Sequence, residues 1–222
     1  MTTHTTINEN WWQGRRWRGA PRRTCGRRTG EFVTGVTISI VSDQSGVRWL
    51  VVWVRLPSEP SRHRVAVWRE LRRTGAVPLG QGSWAVPDVP AFVDGIDRAI
   101  ELAQRGGGEV VVLSAAGRSD QDGARLAEMF TAERNEEWSE FLADCAKFDA
   151  EIDREIAQGK FTLAELEEEE QSLERLRRWH RTVKSRDLFG ASLAADAELQ
   201  LKHCGERLAD YTERVFTALH QI

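Results

Sequence analysis

The chain lacks most of what would give its function away at once. It has three cysteines in 222 residues, Cys25, Cys145 and Cys204. An odd number at no regular spacing fits a reducing cytoplasm better than a disulfide scaffold. No apolar run approaches the roughly 20 residues of a membrane span. The segment Val36-Thr37-Ile38-Ser39-Ile40-Val41 is too short for a secretion signal and has no cleavage site. The expectation is a soluble, cytoplasmic protein with no membrane contact.

Signatures of catalysis are also missing. Gly106-Gly107-Gly108 lacks the following Lys-Ser/Thr of a phosphate-cradling loop, and there is no nucleophile elbow. His203-Cys204 is an adjacent pair whose side chains diverge on a helix, and neither His180 nor His220 supplies chelate spacing. Zinc needs about four ligands. The sequence therefore predicts no metal, no cofactor and no enzyme. His180, on an apolar stripe, reads as a satisfied core histidine.

The net charge of −3 decides little, but its distribution is uneven. Residues 1–46 carry seven arginines against Glu9, Glu31 and Asp43, whereas residues 128–174 carry sixteen acids against four bases. A polar partner is expected at the front half only. Residues 1–46 have no sustained period and read as a disordered basic leader, or as a start codon assigned too far upstream. The block Arg15 to Arg23 would suit a nucleic-acid arm, but the plain tail is the favoured reading.

What is present begins at Trp49. The apolar run Trp49-Leu50-Val51-Val52-Trp53-Val54-Arg55-Leu56 reads as a strand apolar on both faces, hence covered on both. A helix follows Ser58, with Pro60 near its first turn and Gly75 as its stop. Val65, Val67, Trp68 and Leu71 form its expected buried face, with Arg62, Arg69 and Arg73 opposite. Gln81-Gly82 turns a hairpin, and Asp88 and Pro90 start a second helix striped by Phe92, Ile96, Ala99, Ile100 and Ala103. Val110 to Leu113 closes the unit. The order strand, helix, strand, strand, helix, strand predicts a ferredoxin-like split βαβ domain at 47–118.

Residues 119–222 predict three long helices with short connections, an antiparallel three-helix bundle or coiled coil. Gly159 ends the first, and Thr162-Leu163-Ala164-Glu165 is a capping box for the second. Glu167 to Glu170 near its start and the arginines toward its end complement the helix dipole, a structural role. The overall expectation is an α+β protein: leader, sheet domain, bundle.

Two constellations could bind a partner. Arg62, Arg69 and Arg73 on one rigid helix, flanked by His63 and Arg72, could contact successive phosphates; the bland alternative is a solvated helix face. Tryptophans of an open sheet (Trp49 and Trp53, or Trp84) could stack on bases. Coverage by the bundle or by a second subunit is the favoured alternative there.

Trp49-Leu50-Val51-Val52, Pro57-Ser58-Glu59-Pro60-Ser61, Arg64-Val65-Ala66-Val67-Trp68-Arg69, Gly75-Ala76, Gly82-Ser83-Trp84-Ala85-Val86-Pro87, Gly107-Gly108-Glu109 and Arg186-Asp187-Leu188-Phe189-Gly190 occur in an order that resembles the N-terminal domain of the chromate-resistance family ChrB. The likeness covers about Val47 to Leu219, and extends remotely to the Cas2-like middle domain of PaaX-type repressors. It implies a transcriptional regulator of chromate resistance, without the family's second, C-terminal domain. The DNA or oxyanion contacts it implies fall on Arg62, Arg64, Arg69, Arg72 and Arg73. The partners it implies are operator DNA, a homodimer mate, and chromate or another oxyanion as effector. A non-enzymatic dimerisation or adaptor module is the alternative. A Cas2-like nuclease ranks last, because Arg55-Leu56-Pro57-Ser58-Glu59 lacks the metal-holding aspartate at the end of the first strand.

Overall fold

A computed structural model describes residues 46–220; the expectations for the leader fall almost wholly outside them. The elements are β1 (Trp49–Arg55), α1 (Ser61–Thr74), β2 (Val77–Gly80), β3 (Ser83–Pro87), α2 (Pro90–Arg105), β4 (Glu109–Ala115), α3 (Asp120–Gln158), α4 (Leu163–Arg186) and α5 (Ala194–His220). The sheet has the order β2-β3-β1-β4, with every pair antiparallel. This is the expected α+β protein, a ferredoxin-like sheet followed by helices.

Strand alternation divides β1 into two faces. Val52 pairs in register with Trp84 of β3, so both point to one side. There they meet Val67 and Leu71 of α1 and Phe92, Ile96 and Ala99 of α2, all buried. The two helices touch closely because Gly95 has no side chain: a Cβ there would lie 2.2 Å from Thr74 Oγ1. The turn from β2 to β3 has positive φ at Gln81 (47°) and Gly82 (80°), the backbone of a type I′ hairpin. The expected cap of α2 differs. Its N-cap is Val89, with no side-chain bond, because Asp88 instead accepts a hydrogen bond from Ser114 Oγ on β4.

The other side of the sheet is covered at one end only. Trp49 is fully buried between Phe130 of α3, ring centroids 6.0 Å apart, and Phe189 of the α4–α5 turn, 5.9 Å away. The expectation of two covered faces therefore holds at Trp49 and fails toward Arg55, where Trp53 is 37% exposed. On this face Ala85 and Val77, in register beside Val51, are also buried, and the covering stops before Trp53.

α3 begins with a reciprocal capping box between Ser119 and Asp122 and stops at Gly159 in the left-handed region. The expected Thr162 cap of α4 is present. The three helices enclose a second core of Trp138, Phe141, Phe148, Ile152, Leu173, Leu176 and Tyr211, so the arrangement is a bundle. Tyr211 Oη donates to Lys160 O at 2.6 Å and ties α5 to the α3–α4 connection.

Candidate nucleic-acid interface

α1 positions the predicted arginines. Its buried residues are Val67, Glu70, Leu71 and Thr74, the i, i+3, i+4, i+7 pattern of one helix face. That seam lies about a quarter of a turn from the expected one. Val65 and Trp68, expected inside, are exposed, Trp68 by 53%. The helix rolls toward α2 because Glu70 and Thr74 are needed there. Glu70, though buried, accepts from Arg73 Nη2 at 2.7 Å and from Arg98 Nε of α2 at 2.9 Å. Burial pushes its carboxyl up, but the two guanidiniums outweigh this and hold it below the usual range.

The five candidate arginines thereby fall into two groups. Arg73 is held by Glu70, and Arg72 is paired with Glu133 of α3. Arg62, Arg64 and Arg69 are exposed and, among the described residues, have no carboxylate partner. The candidate arginines of α1 are thus free as far as Arg69 and neutralised in the last turn. Arg64 also stands at the rim of a cleft of about 540 Å³ between α1 and the β2–β3 hairpin, walled by Trp68, Trp84, Val54 and Leu71. Trp84 therefore belongs to the helix-covered side of the sheet and cannot serve an open stacking platform.

The C-terminal end of α1 is held by a joint that motif reading did not foresee. Arg134 of α3 is almost wholly buried, and its Nη1 donates to Gly75 O at 3.0 Å. Arg186 of α4 donates from Nη1 to Arg73 O at 2.8 Å and from Nη2 to Glu137 at 2.9 Å. Glu137 also receives Arg134 Nη2 at 3.3 Å. Two guanidiniums thus satisfy carbonyls at the negative end of the α1 dipole, and one carboxylate lies between them. Burial lowers the pKa of both arginines. Asp187 accepts from Trp138 Nε1 at 3.1 Å and from the amides of Gly190 and Ala191 at 3.0 Å each. The Arg186-to-Gly190 motif is therefore a structural clamp between sheet and bundle. A basic residue beside a turn aspartate was its visible signal, but its target lay 113 residues away.

Other singled-out residues are structural. Cys204 Sγ contacts Cys145 O at 3.8 Å across the α3–α5 seam. His180 is buried against Trp138 and Phe141, ring centroids 5.1 and 5.6 Å away. Its Nε2 has no hydrogen-bond partner, which corrects the expectation of a satisfied core histidine. Burial holds its pKa below the usual imidazole value. Among the described residues no three His, Cys, Asp or Glu side chains converge on a metal position, and no helix is long and apolar enough to cross a membrane.

Comparison with known proteins gives one curated relative. Over 156 residues the chain is 28% identical to Protein ChrB of Cupriavidus metallidurans, covering 68% of this chain and 44% of that protein. The chain thus spans under half the length of its relative. No solved structure matches it significantly. The family profile described as "Protein ChrB, N-terminal" matches residues 64–222. That span holds four of the five candidate arginines, the whole Arg134–Glu137–Arg186 joint and all three bundle helices; β1 lies outside it. On a match of that extent, the chain belongs to the ChrB N-terminal family.

Proposed function

We propose that this protein is a non-enzymatic regulator associated with chromate resistance, and that it binds DNA through α1 between Arg62 and Arg69. The observation that carries the reading is the pair Arg62 and Arg69 on one face of α1, with Arg64 on the flank toward the β2–β3 hairpin. These are exposed cations on a helix anchored at its far end, with no carboxylate partner among the described residues. A rigid helix fixes the spacing of its guanidiniums, and each phosphate neutralised releases counterions to solvent. The free group, rather than the whole ridge, is the contact surface, because Arg72 and Arg73 would have to leave Glu133 and Glu70 to reach a phosphate.

The test is a gel shift with the DNA upstream of the protein's own gene, run across a salt series. Binding should weaken steeply with salt. Arg62→Ala with Arg69→Ala should weaken it about 10-fold or more and reduce the salt slope by about two. Arg73→Ala should do less. Chromate as the effector should release the DNA when added. Absence of retardation at low salt would end the DNA reading.

A further inference from the structure

We propose that the cleft between α1 and the β2–β3 hairpin is a binding site for a small aromatic carboxylate, with its ring against Trp68 and Trp84 and its carboxylate on Arg64. Arg64, Val67, Trp68 and Leu71 are spaced so that they share one stripe of α1, and all four line the cleft. Val67 and Leu71 are buried and form its inner side, while Trp68 stands half-exposed at the rim. The opposite wall is the hairpin, which has few side chains to fill the space. Gly80 and Gly82 both have positive φ, 100° and 80°, and the turn requires glycine there. A Cβ at Gly82 would also lie 2.5 Å from Val54 O, so the hairpin sits tight on β1. Turn chemistry thus leaves a space of about 540 Å³ beside an apolar helix stripe. Small-molecule sites occupy about 300–1,000 Å³.

The class of ligand follows from the lining. Its walls are apolar and aromatic, which suits a flat hydrocarbon ring. No aspartate or glutamate lines the cleft, and its two charged residues are both arginines. Strand parity assigns Arg55 to the face of the sheet that carries Trp53, so Arg64 is the cation on the helix side. Arg64 is exposed and has no carboxylate partner among the described residues. A guanidinium at an apolar rim matches a carboxylate through two parallel hydrogen bonds. An inorganic oxyanion would leave the apolar walls unused, and a neutral ring would leave Arg64 unpaired. Arg62 and Arg69 lie on a different face of α1 and do not line the cleft. The site needs no DNA, so this inference and the DNA reading stand or fall separately.

Titration calorimetry on the full chain without DNA tests the inference, with naphthoate as the probe and naphthamide as its neutral counterpart. Naphthoate should bind at one site with a dissociation constant below about 1 mM, and naphthamide about 10-fold more weakly. Arg64→Gln should weaken naphthoate about 10-fold and leave naphthamide unchanged, with an unaltered melting temperature because the side chain is exposed. Arg62→Gln, a charge control on the same helix, should change neither. Trp68→Ala should weaken both. In proton–nitrogen spectra the indole signals of Trp68 and Trp84 should move on titration, while those of Trp138 and Trp179 in the bundle stay in place. Absence of saturable binding overturns the proposal. So does an equal loss with Arg62→Gln, displacement of naphthoate by equimolar sulfate, or a response confined to the bundle tryptophans.

Discussion

Glu169 is the member of the Glu167-to-Glu170 run that turns inward; its three neighbours are exposed. It is 5% exposed and lies in a cleft with Asp144, Lys147, Glu151, Glu168 and Arg175. Burial first, then repulsion from Glu151, Glu168, Glu155 and Glu165, raises its pKa from 4.5 to about 7. The folded protein therefore prefers the protonated acid, whereas the unfolded chain ionises it near 4.5. Its contribution to stability is complete below the unfolded value and is lost as pH rises through about 7. Glu169→Gln should leave urea stability at pH 4 nearly unchanged and raise it by on the order of 2 kcal/mol near pH 8. An equal effect at both pH values would refute this account. The dipole argument at the start of α4 was readable in the sequence. The identity of the inward glutamate was not, because four identical residues cover a full turn and only the phase of the helix against α3 selects one.

Among elements, α1 shows how tertiary partners reset a helix that looks amphipathic by itself. On a helical wheel Val65 and Trp68 outrank Glu70 and Thr74 as buried residues. The structure reverses that order because Arg98 supplies Glu70 with a partner and Gly95 gives Thr74 room. Boundaries were legible, since Gly75 and Gly159 both stop helices in the left-handed region. The free and paired arginines were not separable, because Glu133 and Glu70 act from another helix and from the buried face. The C-terminal anchor of α1 gives a direct prediction. Arg186→Ala removes the donor to Arg73 O and half the cation supply of Glu137, at a cost of about 2–3 kcal/mol in urea unfolding with an unchanged m-value. Arg186→Lys should recover less than half of that loss, because an ammonium cannot bridge both acceptors as a planar fork does. Full rescue by lysine would show that charge alone holds the joint.

At the scale of the whole molecule, the order of strands and helices was legible because each carries its own period and its own stop. How sheet and bundle share their cores was not, since it depends on contacts distant in sequence. α3, about 58 Å long at 1.5 Å per residue, belongs to both cores. Ala127 and Phe130 complete the core under the sheet, while Trp138, Phe141, Phe148 and Ile152 form the bundle interior. Arg134 lies between them, its guanidinium 4.8 Å from the centre of the Phe130 ring. Phe130 itself packs on Phe92, Trp49 and Phe189, joining α2, β1 and the α4–α5 turn through one side chain. A structure joined in this way should lose both cores together. Far-UV circular dichroism, dominated by α3, α4 and α5, and amide protection in β1 and β3 should therefore report one coincident urea transition. Phe130→Ala should shift both probes equally, by about 3 kcal/mol. If that variant lost strand protection while the helical signal kept its wild-type midpoint, sheet and bundle would be independent folding units and α3 only a tether between them.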